Sequence, residues 1–239
     1  MIALWLAAPP DAPINARRQI QLATWCRRFS PWTAPFRDHG PGIWIESTGC
    51  DHLFGGEEAM CRHIVARLAR SGITARAGLA DTPGAAYALA LALAIPNDNT
   101  TICPPGGERA ALAPLPVAAL RLDPASVDRL CALGLRRIGD LYPLTAEARG
   151  RASLARRFPP LVLDRLDAAL GHTFEPISPL RPRAAHITRF EPSEPVHDSG
   201  AVARIAARLA AALAPMLSRD GLGARRIAFA AFRSDGRRV

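Results

Sequence analysis

Lysine is absent from the sequence, so every basic side chain is an arginine. A guanidinium fork stays charged and grips phosphate with two donors at once, which suits an anionic polymer. Acid is scarce as well: 30 basic residues stand against 21 acidic ones, for a formal net charge of +9 and a pI near 10.7. A GC-rich coding sequence accounts for arginine in place of lysine, but less easily for the excess of base. The five cysteines, Cys26, Cys50, Cys61, Cys103 and Cys131, are odd in number and scattered through apolar segments. That argues against a disulfide framework and for buried thiols in a reducing compartment. No uncharged apolar run reaches the length of a membrane span. The opening "MIALWLAAPPDA" lacks the basic start and long apolar core of a secretion signal, so the cytoplasm is the expected location and no membrane is implied. What is present is a 239-residue chain, 49% hydrophobic, with enough apolar material for one large core or two to three small domains.

The run "IALWL" predicts a buried strand. In "NARRQIQLATWCRRF" the helical spacing points Ile20, Leu22, Trp25, Cys26 and Phe29 inward, with Arg17, Arg18, Arg27 and Arg28 elsewhere on its surface. A second strand follows in the apolar run of Ile43, Trp44 and Ile45, then a bend over 49–56. "EEAMCRHIVARLARSG" predicts a helix with Met60, Cys61, Ile64, Val65 and Leu68 on one face, stopping at Gly72. "ITARAGLA" alternates like a half-covered strand. Asp81, Thr82 and Pro83 start a helix through "GAAYALALALA". Strands alternating with helices over the first hundred residues predict a compact layered unit.

The Pro/Gly-rich "CPPGGE" marks a boundary, and the reading from there to about residue 171 is all-helical. Asp123 is the expected cap, and Pro124 the first residue, of one of these helices. Residues 171–185 read as a linker. Beyond lie a possible strand in "HITRF", a helix from Asp198 or Ser199 with Val202, Ile205, Leu209, Leu213 and Met216 inward, and a last strand in "RRIAFAAFR". Such a strand–helix–strand piece has too few strands to stand alone, and the chain reads as cut short.

Two groups of residues carry possible chemistry. In "LGLRRIGDL", Gly134 and Gly139 permit a bend between two short helices, the form of a helix–hairpin–helix. There the turn amides and the next helix start would face a DNA phosphate, with Arg136 and Arg137 adding charge. The plain alternative is an ordinary helical corner with a solvated arginine pair. Cys50, His52, Cys61 and His63 spell C-x-H twice. Residues two apart on a helix point about 200° apart, however, so buried thiols and surface imidazoles account for them better than zinc. Glu46, Asp51, Glu57 and Glu58 are the acids near this stretch, and Glu57 and Glu58 suit the first turn of a helix.

The order of these segments resembles the Y-family translesion DNA polymerases, most closely their ImuB branch from bacterial mutagenesis cassettes. "IALWL", "WCRRFSP", "WIESTGCDHLFGGEEAM", "GITARAGLADTPGAAYALA", "LAPLPVAALRLDPASVDRLCALGLRRIGDL" and "LGARRIAFAAFR" carry the resemblance across almost the whole chain. It implies an α+β protein: a ferredoxin-like palm of mixed sheet and packed helices at 1–104, a helical thumb at 105–171, the linker at 172–185, and a partial βαβ little finger at 186–239. Active members place an Asp-Glu pair before the palm strand, and those positions hold Pro41 and Gly42 here. A further aspartate on the first strand corresponds to Trp5 or Leu6. A basic pair expected in the helix after Asp81 is replaced by Pro83 and Tyr87. The fingers region is missing, and the thumb's glycine-rich first hairpin reads "RLDPASV".

The resemblance therefore implies a catalytically inactive accessory protein without cofactor or metal, binding DNA through its backbone without sequence preference. Gly134, Arg136, Arg137, Gly139, Arg225 and Arg226 are its expected contacts. Implied partners are an ImuA-type protein, an error-prone DnaE-type polymerase and the sliding clamp, whose binding motif in relatives lies beyond the last residue here. Two alternatives stand beside it. One is an active nucleotidyltransferase using Glu46, Asp51 and Glu57 with magnesium, and the other is a nonfunctional truncated copy.

Overall fold

The structure is a computed structural model that describes residues 1–7, 13–37, 40–92, 99–181 and 186–233. It divides into two units, Met1–Arg181 and Pro182–Val239.

The first unit is α+β. Its strands are β1 (Ile2–Ala7), β2 (Thr33–Pro35), β3 (Gly42–Ile45), β4 (Thr74–Leu79) and β5 (Thr100–Ile102), in the order β2-β3-β1-β4-β5. The central β1 runs antiparallel to β3 and β4, while β5 joins parallel to β4, so the sheet is mixed. Alternation along the strands sends Ile2, Leu4, Leu6, Ile43, Ile45, Ala75, Ala77 and Leu79 to one face. Helices α1 (Ala16–Cys26) and α2 (Glu57–Ala69) cover that face, and α2 buries the five residues its spacing predicts. Burial pushes the thiols of Cys26 and Cys61 up to about 12.

α1 departs from expectation. Ile20 is 47% exposed, Leu22 and Trp25 are half-buried, and the buried helical residues are Gln19, Ala23 and Cys26. The cause is a hydrogen-bond demand: Gln19 Nε2 donates to the carbonyls of Phe36 (3.0 Å) and Gly42 (2.7 Å). Both protons of the Gln19 side-chain amide are thereby bonded, which lets this polar group take a buried position.

On the opposite face lies α3 (Pro83–Ala92), buried from Gly84 to Ala90. It starts as predicted, with Thr82 Oγ1 accepting from the Ala85 amide. Beyond it pack α4 (Glu108–Leu112), a 3-10 turn (Val117–Leu120), α5 (Pro124–Ala132), a second 3-10 turn (Ile138–Leu141), α6 (Tyr142–Ala146), α7 (Ala148–Arg157) and α8 (Leu161–Ala169). A helix apolar all round suits a position between sheet and helices. The approach is close: a Cβ on Gly78 would lie 2.1 Å from the Ala86 carbonyl oxygen. Asp123 caps α5, and hydrogen bonds from the Ser126 hydroxyl and amide hold its carboxyl below the ordinary range. Residues 174–181 carry no regular structure, yet Ile177 and Leu180 pack on the core and the Leu180 amide donates to the Thr33 carbonyl at 2.7 Å.

The second unit holds α9 (Ser199–Arg219), capped by Asp198 as expected. Its inward stripe is half-buried and none of its residues is fully buried. By length and composition alone α9 could cross a membrane. The segment around Thr188 lies along it instead, with Thr188 Oγ1 donating to the Leu209 carbonyl and Arg208 over the Phe190 ring. The two flanking strands expected from the sequence do not form among the described residues: 186–190 is irregular, and over 225–233 Phe232 alone takes a bridge position. A βαβ little finger is thus not built here, because strands need hydrogen-bonded neighbours.

Candidate nucleic-acid interface

The antiparallel ladder between β1 and β3 brings Pro41 and Gly42 to one corner of the sheet with Trp5 and Leu6, the two alternatives for the first-strand position. Trp5 stands opposite Gly42, and the Leu6 amide donates to the Pro41 carbonyl at 2.9 Å. Alternation separates the two candidates on β1: Leu6 is buried under α1 and α2, whereas Trp5 faces the α3 side. There it joins Phe36, Trp44 and Tyr87 in an aromatic cluster, with centroids 5.8 Å from Tyr87 and 6.5 Å from Phe36. Tyr87, at one of the two expected basic positions, is buried here, and burial raises its phenol above the ordinary value. The corner is filled. A Cβ on Gly42 would lie 2.1 Å from Phe36 Cε2 and 2.6 Å from the Leu4 carbonyl oxygen.

The nearby acids have other partners. Glu46 accepts from the Thr48 hydroxyl and amide, Glu57 from the Ser47 hydroxyl, and Glu58 pairs with Arg62. Cys61 is buried, while His63 is exposed with its ring against Phe29 and Phe54.

A residue that the sequence reading left without a role anchors this face. Arg121 has φ +58°, left-handed backbone that costs a non-glycine residue about 1–2 kcal/mol. Its guanidinium is 4% exposed, lies 5.7 Å and 5.5 Å from the Trp44 and Tyr87 ring centres, and donates to both oxygens of Glu175 at 2.5 and 2.6 Å. Arg165 adds a third bond to Glu175 at 2.9 Å. Burial alone would raise the Glu175 carboxyl, but the bonds and charge of Arg121 with those of Arg165 hold it below its ordinary value. An open cleft of about 320 Å³ beside the pair is lined by Phe36, Trp44, Arg165 and Ile177 among others. The signal was present in the sequence: Glu175 is the lone acid in a Pro-rich, basic stretch.

The turn over 133–141 has the predicted bend but not the predicted donors. Gly134, at φ +83°, ends α5, and the Leu135 amide returns to the Leu130 carbonyl. Gly139 serves packing rather than bending, since a Cβ there would sit 2.9 Å from the Ala113 carbonyl oxygen. The Arg136 and Arg137 amides both donate to Asp140 Oδ2, at 2.9 and 2.8 Å. Those of Ile138, Gly139 and Asp140 go to Leu115, Ala113 and Arg137 carbonyls. The turn's amides are therefore internally satisfied, while both arginine side chains are exposed. Arg225 and Arg226 are exposed on the irregular segment of the second unit.

The fold and these sites define the class: an α+β protein whose mixed sheet is backed by two helices and joined, through a buried helix, to an all-helical region with an exposed arginine turn. No family model matches the chain. It is similar to Protein ImuB from two strains of Caulobacter vibrioides, 43% identical over 216 residues in each case, covering 90% of this chain and 45% of each relative. Over nine-tenths of its length the chain is ImuB-like, and it spans less than half the length of those curated relatives.

Proposed function

We propose that the chain is a catalytically inactive, polymerase-like accessory protein, the sheet serving as a palm and the helical region as a thumb. It holds DNA by its phosphates during error-prone synthesis past damage, while another polymerase adds nucleotides. An ImuA-type protein, a DnaE-type polymerase and the sliding clamp are its partners in this reading.

One observation carries the inactivity. Two-metal phosphoryl transfer needs carboxylates holding cations about 3.5–4 Å apart. Trp5, Leu6, Pro41 and Gly42 supply none, and Phe36 fills the space that a side chain at 42 would take. Glu46 lies four residues beyond Gly42, just past the end of β3, about 13 Å away at strand rise. The excess of exposed arginine supports the DNA contact, with Arg136 and Arg137 acting through their forks rather than the turn amides. Charge without base-reading groups gives binding that ignores sequence and weakens steeply with salt.

Primer extension with the purified chain and magnesium tests the first half. No incorporation is expected, and incorporation abolished by Glu46→Ala would overturn it. A salt titration of binding to mixed-sequence duplex tests the second, where salt-independent affinity counts against it.

A further inference from the structure

We infer that α7 is a second DNA-phosphate surface, continuous with the arginine turn through Arg129; the inference rests on the DNA-binding reading above. α7 buries Leu154 and exposes Arg149, Arg156 and Arg157. Arg149 and Arg156 are two turns apart on one face, about 10.5 Å along the axis, with Ser153 between them. That length covers about three phosphates of one strand at 3.4 Å each.

Helix stability does not explain the pattern. Arg156 and Arg157 suit the negative end of the helix, but Arg149 sits in its first turn, where a positive charge is disfavoured. Arg151 on the same helix behaves differently, with both of its Nη atoms bonded to Asp167. The acids of this region are largely turned to internal partners: Asp140 to two amides, Asp167 to Arg151, Glu175 to Arg121 and Arg165, and Asp123 to the start of α5. Asp128, Glu147 and Asp164 are exposed, but among the described residues none pairs with Arg149, Arg156 or Arg157.

Arg129 joins the two basic stretches. It is exposed on α5, its guanidinium donates to the Arg157 carbonyl at the end of α7, and it stacks 5.1 Å from the Phe158 ring centre. Seven residues further on, α5 has given way to the turn bearing Arg136 and Arg137. The ridge presents guanidinium groups and a hydroxyl, a set that grips backbone oxygens rather than base edges.

The test is the salt slope of binding, read by fluorescence anisotropy on a mixed-sequence duplex with the full chain. Replacing Arg149, Arg156 and Arg157 together by Gln is expected to reduce the slope of log Kobs against log salt by about 2 to 3, near 0.9 per lost phosphate contact. The matching Arg→Lys triple should retain most of the slope. Removing the same charge from the α1–α2 side, with Arg17, Arg67 and Arg70 changed to Gln, should leave it within about 0.5 of the original. The melting temperature, read alongside, separates lost contacts from lost fold. An unchanged slope in the α7 triple, or an equal fall in the α1–α2 triple, overturns the inference and leaves DNA binding standing. Failure of the unaltered chain to bind DNA overturns both.

Discussion

The two units respond differently to the same kind of sequence signal. In Met1–Arg181 each predicted strand and helix meets a partner, and large side chains such as Ile2, Leu4, Ile43 and Ile45 are fully buried. In Pro182–Val239 the best-patterned segment forms α9, yet its stripe stays half-exposed and, among the described residues, the expected flanking strands do not form. A helix satisfies its own backbone, whereas a strand is completed by its neighbours. Apolar periodicity therefore predicts α9 by itself, but predicts strands only where the rest of a sheet exists.

The largest effects are expected in the first unit. Arg121→Ala would leave Glu175 beside an aromatic face without its main partner, and breaking such a buried pair costs about 3–5 kcal/mol in denaturant unfolding. Leu4→Ala, at a fully buried site, should cost about 2–5 kcal/mol. Against these, Leu209→Ala on α9 should cost under about 1 kcal/mol, because the side chain is already partly wet. An equal cost at Leu4 and Leu209 would erase the contrast between the units. Gly42→Glu, which restores an acid at a family position, should lower stability by about 1–3 kcal/mol through overpacking against Phe36 and yield no incorporation.

Acid sharpens the contrast further. Glu175 and Asp167 are both held below the ordinary carboxylate range, Asp167 chiefly by the Arg151 hydrogen bonds. Their contribution is full above the unfolded-state value and is lost as pH falls through the lower folded-state values. Thermal melts of the first unit should thus be flat near neutrality and fall only in acid. The smallest effect is chemical: Cys26 and Cys61 should resist alkylation at pH 8 until the chain unfolds, as their burial requires.

Much of the first unit was legible. The α2 face, the Asp123 cap, the Thr82 start and all the long strands follow from spacing and cap chemistry. The illegible parts are interactions between distant residues. Gln19 points inward because the Phe36 and Gly42 carbonyls accept both protons of its side-chain amide. Arg121 folds back because Glu175, 54 residues later, meets it. Asp140 consumes the amides that the turn motif would aim outward, and its offset from Arg137 is the spacing at which a carboxylate reaches back to a helix start. For the corner, the resemblance named Pro41, Gly42 and either Trp5 or Leu6, and the β1–β3 register placed Trp5 against Gly42. The comparison with ImuB supports the kinship over nine-tenths of the chain.

The Leu180–Thr33 bond has a consequence for self-association. An outermost strand with idle amides and carbonyls invites another molecule to add to the sheet. On β2 the Thr33 carbonyl is occupied from within the same chain, and Pro35 has no amide to offer. The short rim that remains on β2 gives a newcomer too few rungs to grip, so the tail of the first unit also guards this edge of the sheet against fibre-like stacking.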